Sequence, residues 1–125
     1  MAIVLNSLIA DFNAEIQRIR WLALANGDTG GGGVTGTLTE LGNYSDRTVQ
    51  VTGTFGAGGS VSIQGSNDGG TTWATLTDPQ GVALTFTAAG LRQILELPFQ
   101  IRPNVTAGDG TTSLNVYMMM RKDAR

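Results

Sequence analysis

The chain has 125 residues, the length of one ordinary domain, and contains no cysteine and no histidine. Their absence excludes a disulfide framework, thiolate chemistry and the commonest general base, and we predict a protein that is not an enzyme and needs no cofactor. Eight basic against ten acidic residues leave a net charge of -2 that does not favour nucleic acid, and no apolar run approaches the roughly 20 residues of a membrane helix.

The first 27 residues have the spacing of an amphipathic helix. Apolar side chains recur every three or four positions, polar residues fill the gaps, and Asn26-Gly27 supplies a stop. This predicts an N-terminal α-helical arm over 1–27, and its stripe suits packing on the chain's own β domain and packing on a neighbouring copy equally well. The candidate contact residues are the stripe and an aromatic beside it: Leu5, Ile9, Phe12, Ile16, Ile19 and Trp21.

A glycine-rich run follows the predicted helix. Residues 28–33 have the sequence DTGGGG, with little to bury and much backbone freedom, which predicts a flexible tether. A phosphate-binding loop is not favoured, because no Gly-Lys-Ser/Thr ending follows and the next segment has a strand pattern.

From Val34 onward the apolar period changes to two. Short runs rich in Thr and Val alternate with turn sequences rich in Gly, Asn and Asp. Val49 and Val51 are predicted to face a core, and Thr48 and Gln50 to face outward. We therefore expect 34–125 to form an antiparallel β-sandwich, with a jelly roll as the favoured topology. The predicted strands are 34–41, 47–55, 60–66, 73–76, 82–87, 91–97, 99–105 and 113–121.

Acidic residues are the main candidates for a catalytic or metal site. Four of them lie in turn-like sequences: Asp46, Asp68, Asp78 and Asp109. Asp is favoured in turns because its side chain accepts hydrogen bonds from nearby backbone N–H groups. The sequences 67–70 and 109–111 are only fragments of a calcium loop, so we predict no metal site.

The C-terminal segment carries three consecutive methionines, Met118, Met119 and Met120, before a basic end. In a strand, one face takes only alternate side chains, and adaptable methionines suit a partner surface or an oligomer seam. The alternative is a central strand that is covered on both faces. We predict that the methionines contribute to a partner surface or an oligomer seam.

Two runs resemble a protein family. The run from Gly65 to Trp73, GSNDGGTTW, followed by Leu76, is similar to a hairpin found in small virion proteins of tailed bacteriophages, and the run from Arg102 to Leu114, RPNVTAGDGTTSL, adds to the likeness. Together they resemble capsid decoration, or cement, proteins of the β-sandwich form. The resemblance covers roughly 47–121, and residues 1–33 have no counterpart in it.

The resemblance implies a structural virion protein on the outer capsid surface, made in the bacterial cytoplasm. Its expected partners are the major capsid protein, whose neighbouring subunits it would clamp, and further copies of itself in a dimer or trimer. A cytoplasmic origin also agrees with the apolar start, which lacks the basic leader of a secretion signal.

Two other functions suit the same composition. A tail or head-fibre component would share the fold and bind a different partner. A carbohydrate-binding module would stack sugar rings on loop aromatics such as Trp73 and Tyr44, although Trp73 is predicted to anchor the core or a hairpin.

Overall fold

The computed structural model describes residues 7–10, 16–29 and 46–121. These residues form nine strands, all paired antiparallel, so the predicted mainly β, antiparallel class is confirmed. The strands are β1 (Ser7–Ala10), β2 (Ile16–Leu24), β3 (Asp46–Thr54), β4 (Ser60–Ser66), β5 (Ala74–Thr75), β6 (Thr85–Phe86), β7 (Gly90–Ile94), β8 (Gln100–Ala107) and β9 (Ser113–Arg121).

The larger sheet has five strands in the order β1-β2-β9-β3-β7. β9 lies at its centre and pairs with β2 on one side and β3 on the other. The pairing with β3 runs without interruption from Asp46 opposite Arg121 to Thr54 opposite Ser113. The last strand in the sequence is therefore held by two long ladders.

The smaller sheet is built around β4. β8 pairs along the whole of β4, and the short strands β5 and β6 pair with its other edge. After β2 the chain crosses to this sheet, where Thr29 bridges Asn104 and the Val105 N–H donates to the Asp28 carbonyl at 2.9 Å. Residues 27–29 thus cover part of the outer edge of β8.

Buried side chains from both sheets form one hydrophobic core, which stabilises a chain without disulfides. The larger sheet contributes Ile19, Trp21, Leu24, Val49, Val51, Ile94, Leu114, Val116, Met118 and Met120. The smaller sheet and its loops contribute Val61, Ile63, Leu76, Leu84, Phe86, Ile101 and Val105. Val49 and Val51 face the core as predicted.

The predicted N-terminal helix is wrong for 7–10 and 16–24, which form strands β1 and β2. The sequence of β2 also has a period of two: Ile19 and Trp21 are buried, whereas Arg18 and Arg20 turn away from the core. Pairing with β9 supplies the ladder hydrogen bonds that an isolated helix would make internally, so tertiary context overrides the helical spacing.

A β-bulge interrupts the pairing of β2 with β9. The register between the two strands shifts between Trp21 and Leu24, and Ala23 has a φ of 57°. The extra residue returns Leu24 to the core side three positions after Trp21. The Ala23 N–H is satisfied by the side-chain oxygen of Asn115 at 3.1 Å.

The predicted bounds of β4 and β9 are confirmed without change, and β5, β6 and β7 are shorter than predicted. Asp28 and Thr29, predicted to begin a tether, are buried against β8. Residues 30–33 and the predicted strand 34–41 lie outside the described residues, and for them the tether and the strand stay predictions.

Candidate protein-binding surface

The outward-facing side of the larger sheet, here called the sheet face, gathers residues from four strands. The ladders place Arg20, Tyr117, Gln50 and Leu91 in one row across the sheet. A second row contains Arg18, Met119, Thr48 and Gln93, and Arg121 opposite Asp46 begins a third. The neighbours of these residues that the structure describes in β2, β3 and β9 are buried, among them Ile19, Val49 and Met118, so this set faces outward.

The sheet face is not flat. A groove of about 430 Å³ is lined by side chains that include Arg18, Arg20, Leu91, Tyr117 and Met119. A second hollow of about 440 Å³ shares Leu91 and Met119 and extends the groove toward Asp46 and Arg121. The two hollows form one continuous depression along the sheet.

Apolar and aromatic groups are accessible within this depression. Leu91 is 63% exposed and Tyr117 is 37% exposed, although both lie in regular strands of a well-formed sheet. Met119 is half-buried between them and the arginines. Arg, Tyr and Met are enriched at protein interfaces, because Arg and Tyr combine a large contact area with a polar end and the flexible Met side chain adapts to the shape of a partner.

Cationic groups predominate on the described part of the sheet face. Arg18, Arg20 and Arg121 are its basic residues and Asp46 is its acidic one. The Gln93 side-chain amide reaches Asp46 at 3.5 Å. The Arg20 Nε is shielded from solvent and has no hydrogen-bond partner among the described residues.

Four of the predicted contact residues lie instead in the core. Ile19, Trp21, Met118 and Met120 are each at most 1% exposed, so their side chains are not available to a partner in this fold. The alternation of β9 turns Met118 and Met120 inward and leaves Met119 on the sheet face. Of the three methionines, Met119 is therefore the one placed to contact a partner.

The remaining predicted contact residues lie at the N-terminus. In the backbone pairing, Ile9 of β1 is opposite Arg18, and Ile16 of β2 is opposite Arg121. Leu5 and Phe12 lie outside the described residues. The sequence patterns did not identify Arg20, Leu91 or Tyr117 as contact residues. The alternation in the last strand, which places Tyr117 and Met119 on the same face, was a signal that could have identified Tyr117.

The carboxylates of the turns serve the backbone, as predicted for Asp68, Asp78 and Asp109. Hydrogen bonds from the Thr72 N–H and the Ser66 hydroxyl lower the pKa of Asp68 to about 2. Asp46 differs, because it begins β3 rather than a turn.

Asp109 and Asp78 have comparable roles. Hydrogen bonds from the Thr111 hydroxyl and the Ala57 N–H lower the pKa of Asp109 to about 2. The Arg92 guanidinium, 2.8 Å from Asp78, lowers the pKa of that carboxyl. Carboxyls with depressed pKa values stay ionised at neutral pH and are poor proton donors.

Trp73 anchors the hairpin, one of the two roles predicted for it. Its indole N–H donates to the Gly70 carbonyl at 2.9 Å, and the Arg102 guanidinium lies 4.1 Å from its ring centroid. Because Arg102 covers one face of the ring, that face is not open for stacking on a sugar. Tyr44 lies outside the described residues.

No protein-family model matches the chain, and no curated protein matches it in sequence. Within the residues that the structure describes, no helix is long and apolar enough to cross a membrane. The same residues contain no group of three or more acidic side chains placed to hold a metal ion.

Proposed function

We propose that the protein is a structural virion component that binds the outside of an assembled phage capsid through the sheet face and stabilises the shell by linking neighbouring major-capsid subunits. Its fold in this proposal is a β-sandwich with a jelly-roll-like topology. The proposal includes a location on the outer capsid surface after synthesis in the bacterial cytoplasm.

The observation that carries the proposal is the composition of the sheet face. A solvent-facing sheet normally presents Thr, Ser and charged side chains, whereas this one presents Leu91, Tyr117 and Met119 among three arginines. The backbone beneath these side chains is held in ladders, so little backbone entropy is lost when they bind. A rigid, grooved surface of this kind suits a broad protein partner.

A decoration protein needs binding rather than catalysis. A protein that binds the assembled shell and not its free subunits stabilises the shell by mass action. Because a shell presents many equivalent sites, a small contribution at each site adds up over the particle. The depressed pKa values of Asp68 and Asp109 agree with this, since these carboxylates are committed to holding turns.

The direct test is co-sedimentation of the purified protein with expanded capsids of the phage that encodes it. We expect saturable binding with a fixed number of copies per shell. Tyr117→Ala and Arg20→Ala should each weaken binding at least tenfold, because both lie in the first row of the sheet face. Val82→Ala is the matched control, since Val82 is exposed at a turn away from that face.

Three outcomes would contradict the proposal. If the protein does not bind intact shells, a tail or head-fibre location becomes the better interpretation, and immunogold labelling of virions would find it. If binding saturates but is insensitive to Tyr117→Ala and Arg20→Ala, the capsid contact lies on another surface. Glycan-array binding that is lost in Trp73→Ala would favour the carbohydrate-binding alternative.

A further inference from the structure

The turn after β2 carries the one Asn-Gly pair of the whole sequence, Asn26-Gly27. It leads the chain from the larger sheet to the outer edge of β8. The Asp28 N–H donates to the Ala25 carbonyl at 3.0 Å and closes the turn. Gly27 has a φ of 89°, and Asn26 is exposed beside it. A reactive dipeptide therefore lies where the chain crosses between the sheets.

An Asn-Gly pair undergoes a reaction that needs only the chain and water. The backbone nitrogen of Gly27 attacks Cγ of Asn26, a C–N bond forms, the bond from Cγ to Nδ2 breaks, and ammonia leaves with the proton of the backbone N–H. Water then opens the five-membered succinimide at one of its two carbonyls, which leaves aspartate or isoaspartate at position 26. Glycine favours the ring closure, because it has no side chain to obstruct it and restricts the backbone least.

The fold engages both groups that must react. The Gly27 N–H donates to the Val105 carbonyl at 3.1 Å, and the Asn26 side-chain amide donates to the Gly108 carbonyl at 3.3 Å. The attack requires the backbone nitrogen to give up its proton and to turn toward Cγ, and both hydrogen bonds oppose this. The reaction therefore proceeds from a state in which the turn has left β8.

Hydrogen bonds hold the turn in place, while its own side chains lie at the surface. Ala25 and Asn26 are both exposed. Besides the bond from Gly27, the Val105 N–H donates to the Asp28 carbonyl at 2.9 Å, and the Ala25 N–H donates to the Asp28 carboxylate at 2.8 Å. A segment of this kind opens locally at a lower free-energy cost than the whole domain, because its release exposes little of the core.

Other asparagines and aspartates of the described residues are less suited to this reaction. Asn67, Asn104 and Asn115 each precede a residue with a side chain, which hinders ring closure. Asp68 and Asp109 precede glycine, but each carboxylate accepts hydrogen bonds within its own turn. A carboxylate anion also resists attack by a nucleophile, because its carbon carries less positive charge than that of an amide.

We propose that Asn26 is a modification site at which the chain deamidates spontaneously, at a rate set by the release of the turn from β8. The product replaces the amide that donates to the Gly108 carbonyl by a carboxylate, and two acceptors that face each other oppose the contact. It also places a new negative charge two residues from the buried carboxylate of Asp28. Deamidation thus loosens the crossing between the sheets in one direction only, whether or not the protein binds a capsid.

The test is peptide mapping by mass spectrometry of the full chain after incubation in mildly alkaline buffer, once folded and once in concentrated urea. We expect Asn26 to lose its amide before any other described asparagine, and to do so about tenfold or more slowly in the folded chain. Asp28→Ala removes the acceptor of the Ala25 N–H and should accelerate the reaction several-fold in the folded chain, with no acceleration in urea.

Asp78→Ala is the matched control. Asp78 is comparably buried and also accepts hydrogen bonds from backbone N–H groups, but its turn lies between β5 and β6, at the opposite edge of the smaller sheet from Asn26. Far-UV circular dichroism verifies that each variant is folded during the incubation. If Asp28→Ala does not fold, the comparison of folded and unfolded wild type decides by itself.

Equal rates of deamidation in the folded and the unfolded wild type would overturn the proposal. So would a folded chain that keeps its Asn26 amide while the unfolded chain converts it completely, or one that loses the amide of another described asparagine first. Equal acceleration by Asp28→Ala and Asp78→Ala would also overturn it, because the reaction would then follow unfolding of the whole domain rather than release of the turn.

Discussion

Replacing Trp21 by alanine tests whether β2 is part of the domain core. Trp21 is 1% exposed, lies opposite Val116 in the ladder and belongs to the shared hydrophobic core. A separate helical arm would instead tolerate the change, because its side chains would contribute nothing to the stability of the β domain. The two interpretations therefore predict very different stabilities.

The magnitude follows from the burial of the indole. A buried Trp removes about 150–250 Å² from water, which corresponds to about 4–6 kcal/mol at about 25 cal/mol per Å². The alanine side chain retains part of this burial free energy. The Trp21 Nε1 has no hydrogen-bond partner among the described residues, and removing a buried unpaired N–H recovers about 1–3 kcal/mol. We expect a net loss of about 2–4 kcal/mol.

The assay is urea unfolding followed by far-UV circular dichroism, together with a thermal melt. We expect the melting temperature of Trp21→Ala to fall by about 10–20 °C for a domain of this size. Trp21→Phe should lose less, because phenylalanine keeps most of the apolar area and has no unpaired N–H. Trp73→Ala is a useful comparison, since Trp73 is only half-buried.

A result within about 0.5 kcal/mol of wild type for Trp21→Ala would refute the reasoning. It would mean that residues 16–24 do not stabilise the β domain and that the helical arm predicted over 1–27 is the better description. Equal losses for Trp21→Ala and Trp21→Phe would instead point to a specific role of the indole N–H.

Three further predictions concern local features. Gly53→Ala should destabilise the protein by more than about 2 kcal/mol, because Gly53 has a φ of 113° and a Cβ there would collide with the Ser113 carbonyl oxygen. Gly58→Ala is the control, since Gly58 has a φ of 69° but lies in open space. Equal losses of stability for the two variants in chemical denaturation would contradict this prediction. Ala23→Gly should raise stability by up to about 1 kcal/mol, since glycine adopts the φ of 57° without strain; a lower melting temperature would argue against the bulge. In Asp109→Asn, stability should fall less steeply as the pH is lowered. The folded pKa of Asp109 is about 2 against an ordinary 3.8, so the stabilisation by its carboxylate is present above pH 3.8 and is lost as the pH falls toward 2. A variant whose stability depends on acidic pH in the same way as that of the wild type would refute this role.

Features that depend on short-range chemistry were predictable from the sequence. The bounds of β4 and β9, predicted as 60–66 and 113–121, agree with the structure because their sequences alternate regularly and a glycine-rich turn precedes each of them. The role of Asp68 was predictable for the same reason, since its partners Ser66, Thr71 and Thr72 lie within four residues. Such contacts depend on residues that are close in the sequence.

The candidate surface was only partly predictable. Met118, Met119 and Met120 were predicted together as contact residues, because the alternation alone does not say which face a sheet buries. Arg47 illustrates the same point: it is 1% exposed on the core side of β3, and burial lowers its pKa to about 10. Composition favours an exposed arginine, and only the packing of a second sheet decides otherwise.

By itself, the sequence determined the β class, most turns and the local role of the turn carboxylates. The tertiary structure decided the rest, above all that 16–24 is a strand. That segment carries both a helical and a two-residue period, and its ladder partners lie far along the chain, with Ala23 donating to Asn115 across 92 residues. Strand pairing is a long-range interaction. Pairing with β9, rather than the residues of 16–24 alone, therefore makes this segment a strand.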